Sequence, residues 1–457
     1  MNSFSSTYID KYFTGESLDY KQIIAIIIPI LVDQAFIILM SLLNTAMISS
    51  SGVAAVCAVS MVDSLNIFII NVFVAVATGG TVIVAQYKGS GNNEMVSKAA
   101  AQAISAVAIL SVFISAFVIT FHTPALNLLF GRAEADVFQN ARIYLIGSCI
   151  TYPFIAIFQA VTGALRGVAE TKACLGLSLI MNVTFLCLNV LFITILDMGV
   201  IGLIISMLTA RILGMAASMI YLLKFNQTLR FRIQNALRLN FPILKKIMFI
   251  GVPFAAKQMF FNGGKLLTQT FIVQLGTLAI TVNAISGSIS LVFQIGANAL
   301  SIAIVTVVGQ CIGRRNIADA RKFVKSFLGL SVAFFLIMDI ILLPMFPLIV
   351  KLFSPPAEII PDIFSLTLLI AVAQPLFWSF SFITPSTLRA AGDSNFTSIS
   401  SLLSMWLLRV VLGYVLGITL GFGIMGVWIA MITEWVVRGS VFMWRFKGEK
   451  WYSRQLI

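Results

Sequence analysis

PILVDQAFIILMSLLN, residues 29 to 44, sets an aspartate inside a run otherwise suited to the hydrocarbon core of a membrane. The pattern returns 224 residues later: Pro253 answers Pro29, Gln258 answers Gln34, Phe260 answers Phe36, and Lys257 stands where Asp33 stood. An ionisable side chain near mid-bilayer costs at least ~2.5 kcal/mol on insertion scales, so it is normally buried against protein or water and is a functional candidate by default. The two segments read as symmetry-related walls of a transport pathway.

Composition sets the class. The chain has 457 residues, 59% of them hydrophobic and 10% charged, with mean hydropathy +1.01. That balance belongs to a polytopic helical membrane protein. A net charge of +13 would point to a nucleic-acid partner only if the basic residues shared one solvated face. Here they lie between apolar runs, so no nucleic acid is expected, and membrane lipids are the expected surroundings. Cys57, Cys149, Cys174, Cys187 and Cys311 show no paired spacing, and His122 has no Cys, His or acidic cluster beside it in sequence. No disulfide framework and no metal site are expected. The polar, acid-containing start and the length of the first apolar run argue against a cleaved leader. No G-x-x-x-x-G-K-[ST] loop occurs, so ATP is not the direct energy source, and neither a cofactor nor an enzymatic activity is expected.

About 12 apolar segments are long enough to cross a ~30 Å core. They run from 22–49 to 423–445 and include 247–275 and 278–311. Lysines and arginines crowd the connections on one side, which places both termini in the cytoplasm. The stretch 225–246, FNQTLRFRIQNALRLNFPILKK, reads as a basic amphipathic interfacial helix. The halves repeat: Gln86-x-x-Gly89 matches Gln310-x-x-Gly313, Leu165-Arg166 with Glu170 matches Leu388-Arg389 with Asp393, and GVIGLIISMLT from Gly199 matches GIMGVWIAMIT from Gly423. Two parallel six-helix repeats with a site at their interface is a common transporter plan. The expected division is an N-lobe over 1–223, a cytoplasmic linker over 224–246 and a C-lobe with a short tail over 247–457.

ATGGTVIVAQYKG, GALRGVAETK, PSTLRAAGDSNF and the ending GVWIAMITEWVVRGSVFMWRFKGEKW resemble the MATE (multidrug and toxic compound extrusion) transporters, especially a bacterial branch. The resemblance covers nearly the whole chain. It implies a twelve-helix, two-lobed, V-shaped exporter in the bacterial inner membrane, expected to act as a monomer. Such an exporter exchanges H⁺ or Na⁺ for small organic, often cationic or amphiphilic, compounds. Three positions depart from the family's pattern. The Asp-Thr pair that many relatives carry in the first segment reads Asn44-Thr45; an aspartate found in the fifth appears as Asn189, with Asn182 nearby; the glutamate of the seventh aligns with Asn262. An amide offers an oxygen to Na⁺ but does not titrate near neutral pH. If H⁺ drives the protein, another acid must bind it.

Asp33 is the first candidate for that acid, lying ~17 Å up the first segment. It either carries a proton or sits in a permanent ion pair. Lys257 stands at the equivalent depth, and the two are expected either to face each other at the lobe interface as a gate or to turn into their own lobes. Gln258, Asn262, Lys265 and Gln269 form a polar stripe on the seventh segment, of the kind that lines a cavity. Lys265 would repel organic cations, which admits carboxylated, zwitterionic or neutral substrates. Gln34, Phe36, Met40, Met259, Phe260, Phe293 and Trp378 are expected at the cleft. Asp63 is a possible coupling residue but more readily a structural partner of Arg211 within the first lobe. Arg409, Glu434 and Arg438 form the expected network of the second. A lipid or lipid-linked-glycan flippase of related architecture is the alternative function, and a non-transporting scaffold a third.

Overall fold

The computed structural model describes residues 12–48, 53–130, 135–353, 355–453 and 456–457. Among the described residues the secondary structure is helical throughout, without a strand. A lone strand in lipid would leave its backbone groups unpaired, whereas a helix satisfies them internally. The first half contains α1 (Tyr20–Ile48), α2 (Val53–Gly89), α3 (Asn93–Thr120), α4 (Ala135–Gly167), α5 (Thr171–Asn189) and α6 (Gly199–Ile220). The second contains α7 (Phe241–Gln274), α8 (Thr277–Phe293), α9 (Ile295–Gly313), α10 (Ile317–Leu342), α11 (Ile360–Ala373), α12 (Ser379–Ala390), α13 (Ser394–Ser404) and α14 (Gly423–Lys447). Eleven helical spans among the described residues are long and apolar enough to cross a membrane. The 34-residue α7 is outside that set because its lysines and amides lower its hydropathy.

Two expectations are corrected. The single span expected over 278–311 is two helices that meet at Gln294, whose side-chain amide donates to Ser290 Oγ at 2.9 Å. The amphipathic helix expected over 225–246 is only the five-residue turn Ile233–Leu237, and α7 has already begun at Phe241. What holds this connection is α3. Gln102 Nε2 donates to the carbonyls of Asn235 and Arg238 at 2.7 and 2.8 Å, and its Oε1 accepts from the Asn240 amide at 2.9 Å. Ser97 and Ser105 donate to the carbonyls of Arg230 and Ala236 at 3.0 and 2.6 Å. Side-chain capture of backbone groups has replaced helical hydrogen bonding over the rest of the stretch.

The chain forms two compact units, residues 28–255 and residues 1–27 with 256–456. These limits differ from the 1–223 and 247–457 lobes expected from the repeat, because α1 and α7 each run from one unit into the other close to Pro29 and Pro253. In the 28–255 unit, α4 packs against α2, α3 and α6. Small residues make the close approaches within the bundle: Ala99, Ala100 and Ala103 of α3 are buried, Gly80 of α2 faces Ala103, and Gly163 of α4 faces Thr81 of α2. Lipid chains are as apolar as leucine, so helices in a bilayer associate through close backbone packing, which small residues permit. The first half of α7 lies against α2 in the same way, with Gly79 facing the Ile247 carbonyl and Gly251 facing Val76.

In the other unit the core joins Phe293, Phe335, Trp378, Trp428 and Trp435 with aliphatic residues of α8 and α11. Its N-terminal strap, Tyr12 to Asp19, is captured by α10 and the turn before it. Ser17 N donates to Asp319 Oδ2 at 2.6 Å, Lys322 Nζ to the Thr14 carbonyl at 2.6 Å and Ser326 Oγ to the Tyr12 carbonyl at 2.5 Å. Large apolar side chains such as Phe113, at 68% exposure, and Ile340, at 74%, face outward, as a lipid-facing surface requires.

A Cβ at Gly79 would fall 2.5 Å from the Ile247 carbonyl oxygen. Gly79→Val is therefore expected to destabilise the protein by roughly 1–3 kcal/mol through overpacking. Gly176→Ala, whose added methyl meets open space, should leave the midpoint unchanged when thermal unfolding of both variants is followed in detergent.

Candidate functional site

A cavity of about 530 Å³ opens inside the 256–456 unit, within the size range of pockets that take drug-sized ligands. α7 supplies Phe261, Lys265, Thr268 and Gln269, which recur at intervals of three and four and so share one helix face. α8 supplies Asn283 and Ser290, the break after it Gln294, and α9 Asn298. Trp428 and Trp435 come from α14. Trp378 and Arg409 stand on the π-helical segments Gln374–Trp378 and Met405–Val411. A π turn inserts an extra residue and re-aims the side chains after it, and such turns gather at functional sites.

The polar lining is ordered by its own hydrogen bonds. Asn283 Nδ2 donates to Gln269 Oε1 at 3.3 Å, while Trp428 Nε1 donates to Asn283 Oδ1 at 3.1 Å. Ser290 Oγ accepts from Gln294 and from Gln374, at 2.9 and 2.7 Å. Trp435, only 3% exposed, lines the cavity with an indole N–H that has no hydrogen-bond partner.

The charge of this region is one-sided. Phe261 is surrounded by Lys257, Lys265, Arg409 and Arg438, each within 5.1–5.6 Å of its ring centroid, inside cation–π range. Glu434, fully buried, is the counter-charge: Arg409 Nε lies 2.9 Å from one carboxylate oxygen, and Arg438 Nη1 pairs with the other. Arg438 also donates to Ser381 Oγ at 2.6 Å. Lys257 is half-buried and donates to Gln258 Oε1 at 3.1 Å. Lys265 keeps exposed surface and lines the cavity. Arg389 is a further cation whose field reaches Lys257. Among the described residues lining the cavity, none is acidic.

Asp33 lies in the 28–255 unit, at 4% exposure. Arg166 Nη2 of α4 stands 3.8 Å from its Oδ2, at the limit of ion-pair reach, and Oδ1 has no hydrogen bond. Ser178 of α5 is beside the carboxylate. Asn182 Nδ2 donates to the Ser178 hydroxyl at 3.2 Å and to its carbonyl at 2.8 Å, so Asn182 belongs to the same cluster. Asn189 is buried at the end of α5 where the chain turns π-helical. Asp33 and Lys257 thus belong to different units, and each has partners in its own. Sequence reading treated Arg166 as a topology signal and missed it as the partner of Asp33. The signal was present in the repeat, since Arg166 and Arg389 follow Asp33 and Lys257 at intervals of 133 and 132 residues, equal to within one.

Asp63 and Arg211 do not form the expected direct ion pair. Asp63 Oδ1 accepts from Tyr144 Oη at 2.8 Å and Asn66 Nδ2 at 3.1 Å, while Arg211 donates to Thr151 Oγ1. Asn66 and Thr151 then meet at Ser148, so hydroxyl and amide groups bridge the two charges. Of the polar stripe, Lys265 and Gln269 line the cavity, whereas Gln258 and Asn262 are half-buried outside its lining. Phe260 is 52% exposed and absent from the lining; its neighbour Phe261 is the cavity aromatic, one residue or 100° further round the helix. Met259 is also exposed, and Phe293 is in the apolar core. Gln34 and Phe36 are half-buried and Met40 is buried in the 28–255 unit. The side chain of Asn44 lies outside the described residues.

Comparison with known proteins accounts for the duplication. The chain is 28% identical over 439 residues to the uncharacterized transporter YisQ of Bacillus subtilis, covering 93% of this chain and 94% of that one. It is 23% identical over 451 residues to the probable multidrug resistance protein NorM of Thermotoga maritima, covering 96% and 94%. Among solved structures it superposes, with TM-score 0.84 and 19% identity, on a MOP superfamily transporter from Pyrococcus furiosus described by the reverse polarity of its binding pocket, covering 93% of this chain and 95% of that one. A family model named MatE matches residues 29–193 and again 253–415, once in each half of the repeat. The chain belongs to the MatE family of membrane transporters.

Proposed function

We propose that this protein is a cation-coupled secondary exporter of amphiphilic small molecules, with H⁺ as the coupling ion and Asp33 as the group that binds it. The observation that carries the proposal is the loose environment of Asp33: a buried carboxylate with one oxygen unbonded and its arginine 3.8 Å away. A tight bidentate pair would hold the carboxylate ionised. A loose one lets a proton compete with Arg166, and protonation would free that arginine to take a new partner. The amides at Asn44, Asn189 and Asn262 leave the proton to Asp33, whereas Na⁺ could use their oxygens. Export rather than another use of the fold is supported by the multidrug resistance relative and by a cavity of drug-like size. A lipid flippase is not favoured by the family match. The proposed setting is the bacterial inner membrane with cytoplasmic termini, the chain working as a monomer.

Transport by purified protein in vesicles, with pH and Na⁺ gradients imposed separately, tests the coupling. A pH gradient should drive accumulation and a Na⁺ gradient should not; the reverse result would transfer the coupling role to the amides. Asp33→Asn should lower pH-driven uptake by roughly 5–150-fold, the range of a typical coupling energy, while leaving thermal stability near that of the parent. Glu434→Gln should do the opposite at first order, because removing one partner of a buried ion network costs about 3–5 kcal/mol. A drop in melting temperature read by differential scanning fluorimetry separates the two roles.

A further inference from the structure

We infer that the cavity of the 256–456 unit is a binding site for organic anions, specifically compounds with a carboxylate on a flat aromatic body. The inference rests on the exporter reading only for its physiological use, since binding itself requires no transport. Three observations carry it. The first is the balance of fixed charge. Lys265, Arg409 and Arg438 each stand 5.3–5.6 Å from the Phe261 ring centroid, and the carboxylate among them, Glu434, is already held by the two arginines. Three cations against one carboxylate leave the region net positive, a field that favours an anion.

The second is the comparison between the two copies of the repeat. Where the first copy has Asp33 within ion-pair reach of Arg166, the second carries Lys257 at the equivalent position, a cation in place of the acid. The repeat has thus exchanged an acid for a base on α7, the helix whose Phe261 and Lys265 line the cavity.

The third is the chemistry of the lining. Lys265 and Arg409 stand at the cavity beside Phe261, and the indole N–H of Trp435 has no partner of its own. Trp378 and Phe382 stack with centroids 4.4 Å apart and planes 15° from parallel, giving a flat aromatic wall. Lysine and arginine select the carboxylate, a free indole N–H offers a further donor, and the aromatic wall takes the apolar body. Amines lose at the same site because no lining residue is acidic.

A matched set of probes tests this: indole-3-acetate, the neutral indole-3-acetamide, and tryptamine, which share a ring and differ in charge. Binding is measured by scintillation proximity on the full chain in phosphatidylcholine nanodiscs, where no lipid carries net negative charge. Indole-3-acetate should bind roughly tenfold or more tighter than tryptamine, with the acetamide between them. Lys265→Gln should weaken indole-3-acetate by about fivefold or more and leave tryptamine unchanged or tighter. Tryptamine binding as well as the acid in the parent protein would overturn the inference without recourse to any variant. So would an equal effect of Lys265→Gln on both probes. Vesicle uptake of the same set separates the two readings. Preferential acid binding without gradient-driven movement of any probe leaves the anion site standing and removes the exporter. Gradient-driven tryptamine movement without acid binding does the reverse.

Discussion

Every charge carried into the hydrocarbon layer must find its compensation nearby, and this requirement organises the molecule. Water screens an exposed ion pair almost to nothing, whereas within a bundle the same pair decides whether helices can stay together. Glu434 shows the requirement met. Its two oxygens serve Arg409, which stands on the π-helical segment after α13, and Arg438 of α14, and Arg438 reaches on to Ser381 of α12. One carboxylate thus ties together three elements of the unit. Asp33 and Arg166 meet it more loosely, and the cations around Phe261 exceed what Glu434 can offer. Glu434 paired twice, Asp33 paired loosely and the cations around Phe261 in excess mark a gradation in how fully buried charge is compensated.

Much of the plan was legible in the chain. Hydropathy and the 223- or 224-residue offset give a duplicated helical membrane protein, because both follow from composition and spacing that no tertiary contact can alter. The charged positions were legible for the same reason: lysine, aspartate and arginine are too costly in lipid to occur by drift. Their partners were harder. Arg166 sits at the end of α4, where a cation is ordinarily a topology signal, and only the geometry of α1 against α4 turns it toward Asp33. Asp63 and Arg211 are at similar depth yet joined through hydroxyl and amide groups, a distinction of a few ångströms that depth cannot register.

The cavity aromatics show a different limit. Phe260, expected at the cleft between the lobes, is exposed, while its neighbour Phe261 lines the cavity of the 256–456 unit; one residue on a helix is a rotation of about 100°, enough to separate the two environments. The π-helical turns compound the problem in α14's neighbours. Gln374–Trp378 and Met405–Val411 shift the phase of every side chain beyond them, so an α-helical wheel misplaces Arg409. Propensity offers a warning in the first, which contains Pro375, and none in the second, MWLLRVV.

The captured strap and the captured connection share a logic. Residues 12–19 precede the first helix of one repeat yet are gripped by α10 of the other, through Asp319, Lys322 and Ser326. Residues 230–240 precede the first helix of the second repeat and are gripped by α3 of the first, through Ser97, Gln102 and Ser105. Each leader is held by the opposite copy. Two separate half-length chains could trade leaders in the same reciprocal fashion, as swapped homodimers do, and joining their genes end to end would turn one leader into a linker without breaking a single grip.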